Sequence, residues 1–199
     1  MRIETLEIAG LRSALEALRL PFNKEPRSIL DYKLCIHRNG DKLRVMHMST
    51  IDADQRDLEL MSTLVKRGDE HAKVMRGIIV WAEITAPIYL WCELETYRIG
   101  HERLSSESTM HGVAKGLTGD ALVRVKSELP MGTMLKKVDY FSYQALRRIV
   151  IQRHDHRLPE WRQFVEWVKT LPLSRELIFK GTCVPFDEEN ATSAKETGK

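Results

Sequence analysis

The apolar positions come in short runs, and their period changes along the chain. Residues 2–7 (RIETLE) alternate and predict a short strand. Residues 11–19 (LRSALEALR) carry their apolar side chains at a helical period. The run LCIHRNGDKLRVMHM, residues 34–48, reads as a hairpin with Asn39 and Gly40 as its primed turn. Asp52 is positioned to N-cap a helix that runs through Lys66 and stops at Gly68. Residues 77–84 (GIIVWAEI) are rich in β-branched side chains and predict a strand. Pro87 then suits the first turn of a helix reaching Arg98.

Beyond Arg98 the pattern loosens. Residues 100–119 are rich in Gly, Ser and Thr and read as a loop of the functional kind. Residues 120–128 form a short helix that Pro130 and Gly132 interrupt. Residues 142–153 (SYQALRRIVIQR) are helical with a basic face, and Pro159 opens a further helix, EWRQFVEWVKTL. From Asp187 the tail is polar and reads as disordered. No internal repeat or linker divides the chain. The expectation is one α+β domain over residues 1–186, a small antiparallel or mixed sheet flanked by helices.

Composition narrows the function. The chain has 199 residues, 43% hydrophobic and 30% charged, enough for one buried core under a well-solvated surface. A net charge of +3 argues against a dedicated duplex-DNA binder and leaves room for a small anionic ligand held by a few local cations. Cys35, Cys92 and Cys183 are odd in number and far apart, which fits free, mostly buried thiols in a reducing compartment. They give no zinc signature. His154 and His156 lie two apart with no further ligand set and read as loop histidines, so no metal is expected. Gly112, Gly116 and Gly119 make no phosphate-loop pattern. Trp81, Trp91, Trp161 and Trp167 read as core or interface residues. No signal peptide or membrane span is evident, and the expected location is the cytoplasm.

The segment TYRIGHERLSSESTMH, residues 96–111, follows a strand and the Ala86-Pro87-Ile88 helix start. With a later block from Leu129-Pro130 to Arg153, it resembles the flavin-dependent thymidylate synthases, whose signature is R-H-R followed by a Ser-rich stretch ending S-x-R-Y. The resemblance covers most of residues 1–170, and the hairpin 34–48 looks like an addition. Arg98 takes the third place of R-H-R, while Thr96 and Tyr97 replace its first two residues. Met110 and His111 replace the closing Arg-Tyr. Asp69-Glu70-His71 only echoes the family's H-x-T-x-x-E-H motif. Glu93 and Glu95 are acidic where the family is neutral or basic.

The resemblance implies an activity and a site. The activity is transfer of a one-carbon unit from methylenetetrahydrofolate to C5 of deoxyuridylate or a related pyrimidine deoxynucleotide. FAD carries the chemistry, NADPH is a co-substrate, and the protein binds and orients. The implied assembly is a homotetramer with sites between subunits. Arg98, with Ile99 beside it, takes a flavin position; its plain alternative is a cation at a helix C-terminus. Ser142, Gln144 and Arg148 occupy further flavin positions without the expected residue types. Glu107 and Ser108 fall at nucleotide contacts. Lys126 stands where the family has a phosphate-binding arginine, and it also reads as an ordinary solvated lysine. Arg153 falls on the late arginine that faces and activates the pyrimidine; a salt-bridged surface arginine is the alternative. Retained Arg98, Ser108 and Arg153 favour an enzyme. The broken signature and the two glutamates favour a nucleotide-binding protein of altered specificity that has lost flavin.

Overall fold

The computed structural model describes residues 1–25, 29–39, 42–52 and 54–186. Strand β1 (Arg2–Ala9) leads into helix α1 (Leu11–Arg19). A ribbon of β2 (Ile29–Asn39) and β3 (Lys42–Asp52) follows, then helix α2 (Gln55–Lys66). Next come β4 (Ile79–Pro87), α3 (Ile88–Leu94) and β5 (His101–Ser106). The chain continues through α4 (Gly119–Ser127), β6 (Met134–Ser142), α5 (Tyr143–Arg153) and α6 (Pro159–Lys169). The ribbon is a two-stranded sheet of its own, whereas β1, β4, β6 and β5 form one antiparallel sheet in that order. This is the expected α+β class.

One face of the four-stranded sheet is the core floor. Along β4, burial alternates, and Val80, Ala82, Ile84 and Ala86 are at most 1% exposed. Beside them on β6 stand Phe141, Asp139 and Lys137, all buried. Helices α5 and α6 cover the apolar end of this face. Phe141 lies 5.7 Å from Phe164 and 6.0 Å from Trp167, ring centre to ring centre and edge to face. The outer face is half exposed and carries the Trp81–Tyr140 pair.

Several sequence expectations are corrected here. Asp52 is the last residue of β3, and the residue that caps α2 is Asp54, whose carboxylate accepts from Arg56 N at 2.9 Å. The ribbon is longer than 34–48, and Asn39 pairs with Lys42. Gly40, like the tail 187–199, lies outside the described residues. Pro87 ends β4 and N-caps α3, and that helix stops at Leu94, short of Arg98. The 100–119 loop is shorter than expected because β5 occupies its first residues. β6, a central strand, went unrecognised in the sequence. Cys92 and Cys183 are exposed, not buried.

Two devices fix the turn between α3 and β5. At the start of α3, Ile88 N and Tyr89 N donate to Thr133 O and Met131 O, both at 3.1 Å, so the loop before β6 satisfies two open helix donors. After α3, Gly100 adopts φ +78° and packs on the start of α5, its carbonyl accepting from Ser142 N at 2.7 Å. A Cβ on Gly100 would lie 2.3 Å from Ser142 Oγ, the atom that caps α5 by accepting from Ala145 N. Gly100→Ala is therefore expected to lose ~1–2 kcal/mol to backbone strain and up to ~2 kcal/mol from the disturbed cap. Urea denaturation should show Gly100→Ala less stable than Ser142→Ala, which loses the cap alone; equal midpoints would contradict this account of the turn.

Candidate functional site

Two polar clusters flank α3, on opposite sides. The first lies on the sheet. Cross-strand pairing sets His101 beside Phe141 and Arg103 beside Asp139. The His101 ring stacks on Phe141 at 4.5 Å, its Nε2 meets Asp139 Oδ2 at 2.8 Å and its Nδ1 meets Tyr97 O at 3.0 Å. Arg103 Nε is 3.4 Å from Asp139 Oδ1, and its Nη1 donates to Glu95 Oε1 at 2.5 Å. Lys137 Nζ reaches the same Glu95 oxygen at 3.4 Å. Both cations lie over the Trp91 ring, Lys137 at 4.5 Å and Arg103 at 5.3 Å. The Arg103 guanidinium holds the Glu95 carboxyl below its ordinary range. Burial, followed by the neighbouring Arg103 charge, pushes the Lys137 ammonium down.

A shallow cleft of about 450 Å³ opens beside this cluster, lined by Arg98, Gly100, Arg103, Glu95, Glu102 and Tyr140 among others. Arg98 is exposed and has no hydrogen bond or ion pair among the described residues. Four residues past the end of α3, it is not the helix-end cation of the plain reading. Ile99 next to it is 74% exposed.

The second cluster gathers around Arg153 at the end of α5. Its Nε donates to Tyr97 Oη at 2.7 Å, and its Nη1 lies 3.0 Å from Glu93 Oε2. The guanidinium sits 4.8 Å over the Trp161 ring and 5.6 Å from that of Tyr97. Glu93 Oε2 also accepts from Trp161 Nε1 at 2.8 Å and stands 3.7 Å from His156 Nε2. His156 is thus part of this cluster and not a free loop histidine. The Arg153 side chain is 20% exposed, so it is neither an open surface residue nor a sealed one.

The remaining candidates divide. Lys126 Nζ donates to Thr109 Oγ1, next to Ser108, whose own Oγ accepts from Met110 N at 3.2 Å. Lys126 and the Ser108 loop are therefore together. Arg153 is not joined to them within the chain: its partners there are Tyr97, Glu93 and Trp161. Glu107 extends the β5–β6 pairing, its carboxylate accepting from Lys136 N at 3.1 Å. The three outlying flavin positions serve the fold. Ser142 caps α5 and is buried. Gln144 is buried, accepting from Arg76 Nε at 2.8 Å and donating to Asp69 O at 3.4 Å. Arg148 ion-pairs with Asp69 and holds that carboxyl below its ordinary range.

Arg103, one of the two arginines from which the sequence expected a partner for the acidic residues, pairs with Glu95. Sequence reading missed His101, Lys137 and Asp139. The signal for the last two was an alternation on residues 134–142 whose middle inward positions are charged. Asp139 is fully buried, and its removal leaves His101 Nε2 without its hydrogen-bond partner and Arg103 with Glu95 as its one carboxylate among the described residues. Asp139→Ala is expected to cost roughly 3–5 kcal/mol of stability, as for breaking a buried pair from one side. Chemical denaturation measures it, and a loss near zero would mean the cations find other partners.

No family model matches the sequence, and no curated protein does. Solved structures match in shape. A flavin-dependent thymidylate synthase ThyX from Helicobacter pylori, complexed with FAD and dUMP, aligns with a TM-score of 0.63 at 13% identity, over 93% of this chain and 100% of that one. A second Helicobacter pylori Thymidylate Synthase X structure, also with FAD and dUMP, gives 0.61 at 13% identity over 96% and 100%. Identity this low speaks for the fold alone. The chain has the flavin-dependent thymidylate synthase fold.

Proposed function

We propose that the protein binds a pyrimidine deoxynucleotide on this fold, with a specificity altered from that of the flavin enzymes it resembles. The Arg153 cluster carries the reading. A guanidinium stacked on Trp161, oriented by the Tyr97 hydroxyl and partly open to solvent is a fixed donor beside aromatic surface. That combination suits a flat heterocycle. The dUMP in both Helicobacter pylori structures supports the ligand class. Lys126, with Ser108 and Thr109 beside it, supplies the phosphate-facing element, and Glu107 orders the same loop. Arg153 reaches that element from a second copy, in the homotetramer that the resemblance implies. The domain spans residues 1–186 and works in the cytoplasm. Among the described residues no helix is long and apolar enough to cross a membrane.

The residues present do not fit the FAD that the resemblance implies. A flavin diphosphate needs several free cations or donors. Here Arg98 is flanked by Glu95 and Glu102 in its cleft, and Ser142, Gln144 and Arg148 are committed to internal contacts. Thr96 and Tyr97 replace an arginine and a histidine. No catalytic step is therefore derived through flavin. The second reading is one-carbon transfer from methylenetetrahydrofolate to C5 of deoxyuridylate, with FAD and NADPH. It is favoured by Arg98, a cation in a cleft with no partner among the described residues.

Two titrations separate the readings. Calorimetry with dUMP is expected to show saturable binding. Arg153→Ala should weaken it by about tenfold to a hundredfold, since one charge-assisted hydrogen bond is worth ~1.5–3 kcal/mol. Its fold should persist, because Glu93 keeps its bond to Trp161. No binding of dUMP at millimolar concentration would overturn the proposal. Titration with FAD, followed by flavin absorbance, is expected to show no complex; a saturable complex weakened by Arg98→Ala would establish the enzyme reading instead.

A further inference from the structure

The Arg153 cluster is unusual in one respect: its cation is already paired. The three side-chain polar contacts of Glu93 are made at one oxygen, Oε2, which meets Arg153, Trp161 and His156. The other oxygen, Oε1, has no hydrogen bond among the described residues, and the same holds for Nη2 of Arg153. The two side chains are 32% and 20% exposed. A carboxylate acceptor and a guanidinium donor therefore stand next to each other, backed by the rings of Tyr97 and Trp161.

This pair selects its ligand by charge and by hydrogen-bond pattern. A phosphate or carboxylate approaching Arg153 meets the negative Glu93 at the same point, so the pair disfavours an anionic group. A neutral edge that offers one acceptor and one adjacent donor satisfies both at once, the acceptor to Nη2 and the donor to Oε1. The amide-like edge of a pyrimidine ring has this pattern, with a ring or exocyclic N–H beside an acceptor. The aromatic rings provide the flat wall such a base needs. Two bonds of this kind, each with a charged partner, are the stronger class of hydrogen bond.

The geometry points to Glu93 as the specificity-determining residue that reads the N–H of a neutral pyrimidine edge while Arg153 reads the neighbouring acceptor. The inference rests on the nucleotide-binding reading and deepens it. It also divides the ligand: the base belongs to Glu93 and Arg153, and the phosphate to the Lys126 loop. Glu93 is a binding residue here, not merely a counter-ion. The two roles predict opposite outcomes on its removal. A counter-ion that only occupies Arg153 would, once removed, free the guanidinium and tighten the binding of an anionic nucleotide. A reader of the base would, once removed, weaken it.

The test compares deoxyuridylate with its 3-methyl derivative, which lacks the only N–H of the uracil ring. Wild type is expected to prefer deoxyuridylate by about tenfold or more, the cost of an unmet charged acceptor. Glu93→Ala should weaken deoxyuridylate by a similar factor and abolish the preference, while binding of 2-deoxyribose 5-phosphate stays unchanged. Glu93→Gln, which retains an acceptor oxygen, should restore most of the preference. Tighter deoxyuridylate binding in Glu93→Ala, or a preference that survives it, overturns the inference. Should Glu93→Ala fail to fold, wild type alone decides, since equal affinity for the two nucleotides also overturns it. If wild type binds deoxyuridylate without preference, only this inference falls. If it binds neither nucleotide, the nucleotide-binding reading falls as well.

Discussion

A carboxylate removed from water must be compensated, and Asp139 is removed from it completely. Its position on β6 faces the core floor, between alanine on one neighbouring strand and arginine on the other. Its direct partners come from β5. His101 gives a hydrogen bond and Arg103 a charge, from positions two apart on that strand, which in a strand point to the same face. The compensation fixes the register of an edge strand whose remaining residues are mostly exposed. Arg103 and Lys137 then need cover of their own. Trp91 of α3 lies over both, its Nε1 donating to Ala86 O at 3.0 Å and Leu135 O at 3.1 Å. One buried charge thus links β5 and β6 to helix α3, and with them the Arg98 turn.

Helix α3 is short, yet it serves both clusters because of its period. Trp91 and Glu95 are four apart, close to one turn, and both meet the Arg103–Lys137 pair. Glu93, two from each, points away, towards Arg153 and Trp161. The acidic residues that set this chain apart from the resembling family therefore do different work. Glu95 neutralises the sheet-side cations and belongs to the scaffold. Glu93 belongs to the cluster that remains partly open.

The parts of the fold legible in the sequence are those where one period persists with few charges on its buried side. β4, α1, α5 and α6 are of this kind, and Gly68 and Pro159 mark real boundaries. β6 was illegible because the inward positions of MLKKVDYFS read Leu135, Lys137, Asp139, Phe141. The two middle ones do not look like core, and they are inward because cations, carboxylates and Trp91 from distant segments meet them. β5 was hidden for the same reason: His101 and Arg103 are its inward residues, and their partner lies 38 and 36 positions away. The end of α3 was misplaced because the turn depends on Gly100 fitting against Ser142, a tertiary contact. Among the candidate residues, the sequence singled out Arg153 and Glu93 separately. Their pairing across 60 positions could not be read from either segment.

The two clusters differ in how tightly they bind the chain to its fold, a fold shared with solved structures at 13% identity. Asp139 and its partners are coupled: a change at any one leaves another charge unmet in the core, so they change together or not at all. Glu93 and Arg153 have solvent at hand, and a lost partner there costs little stability. Variation is therefore tolerated on the Glu93 side of α3 and resisted on the Trp91 side. The separation is geometric, set by the hundred-degree step between successive helix residues. It lets a residue on the Glu93 side of α3 change without disturbing the strand register on the Trp91 side.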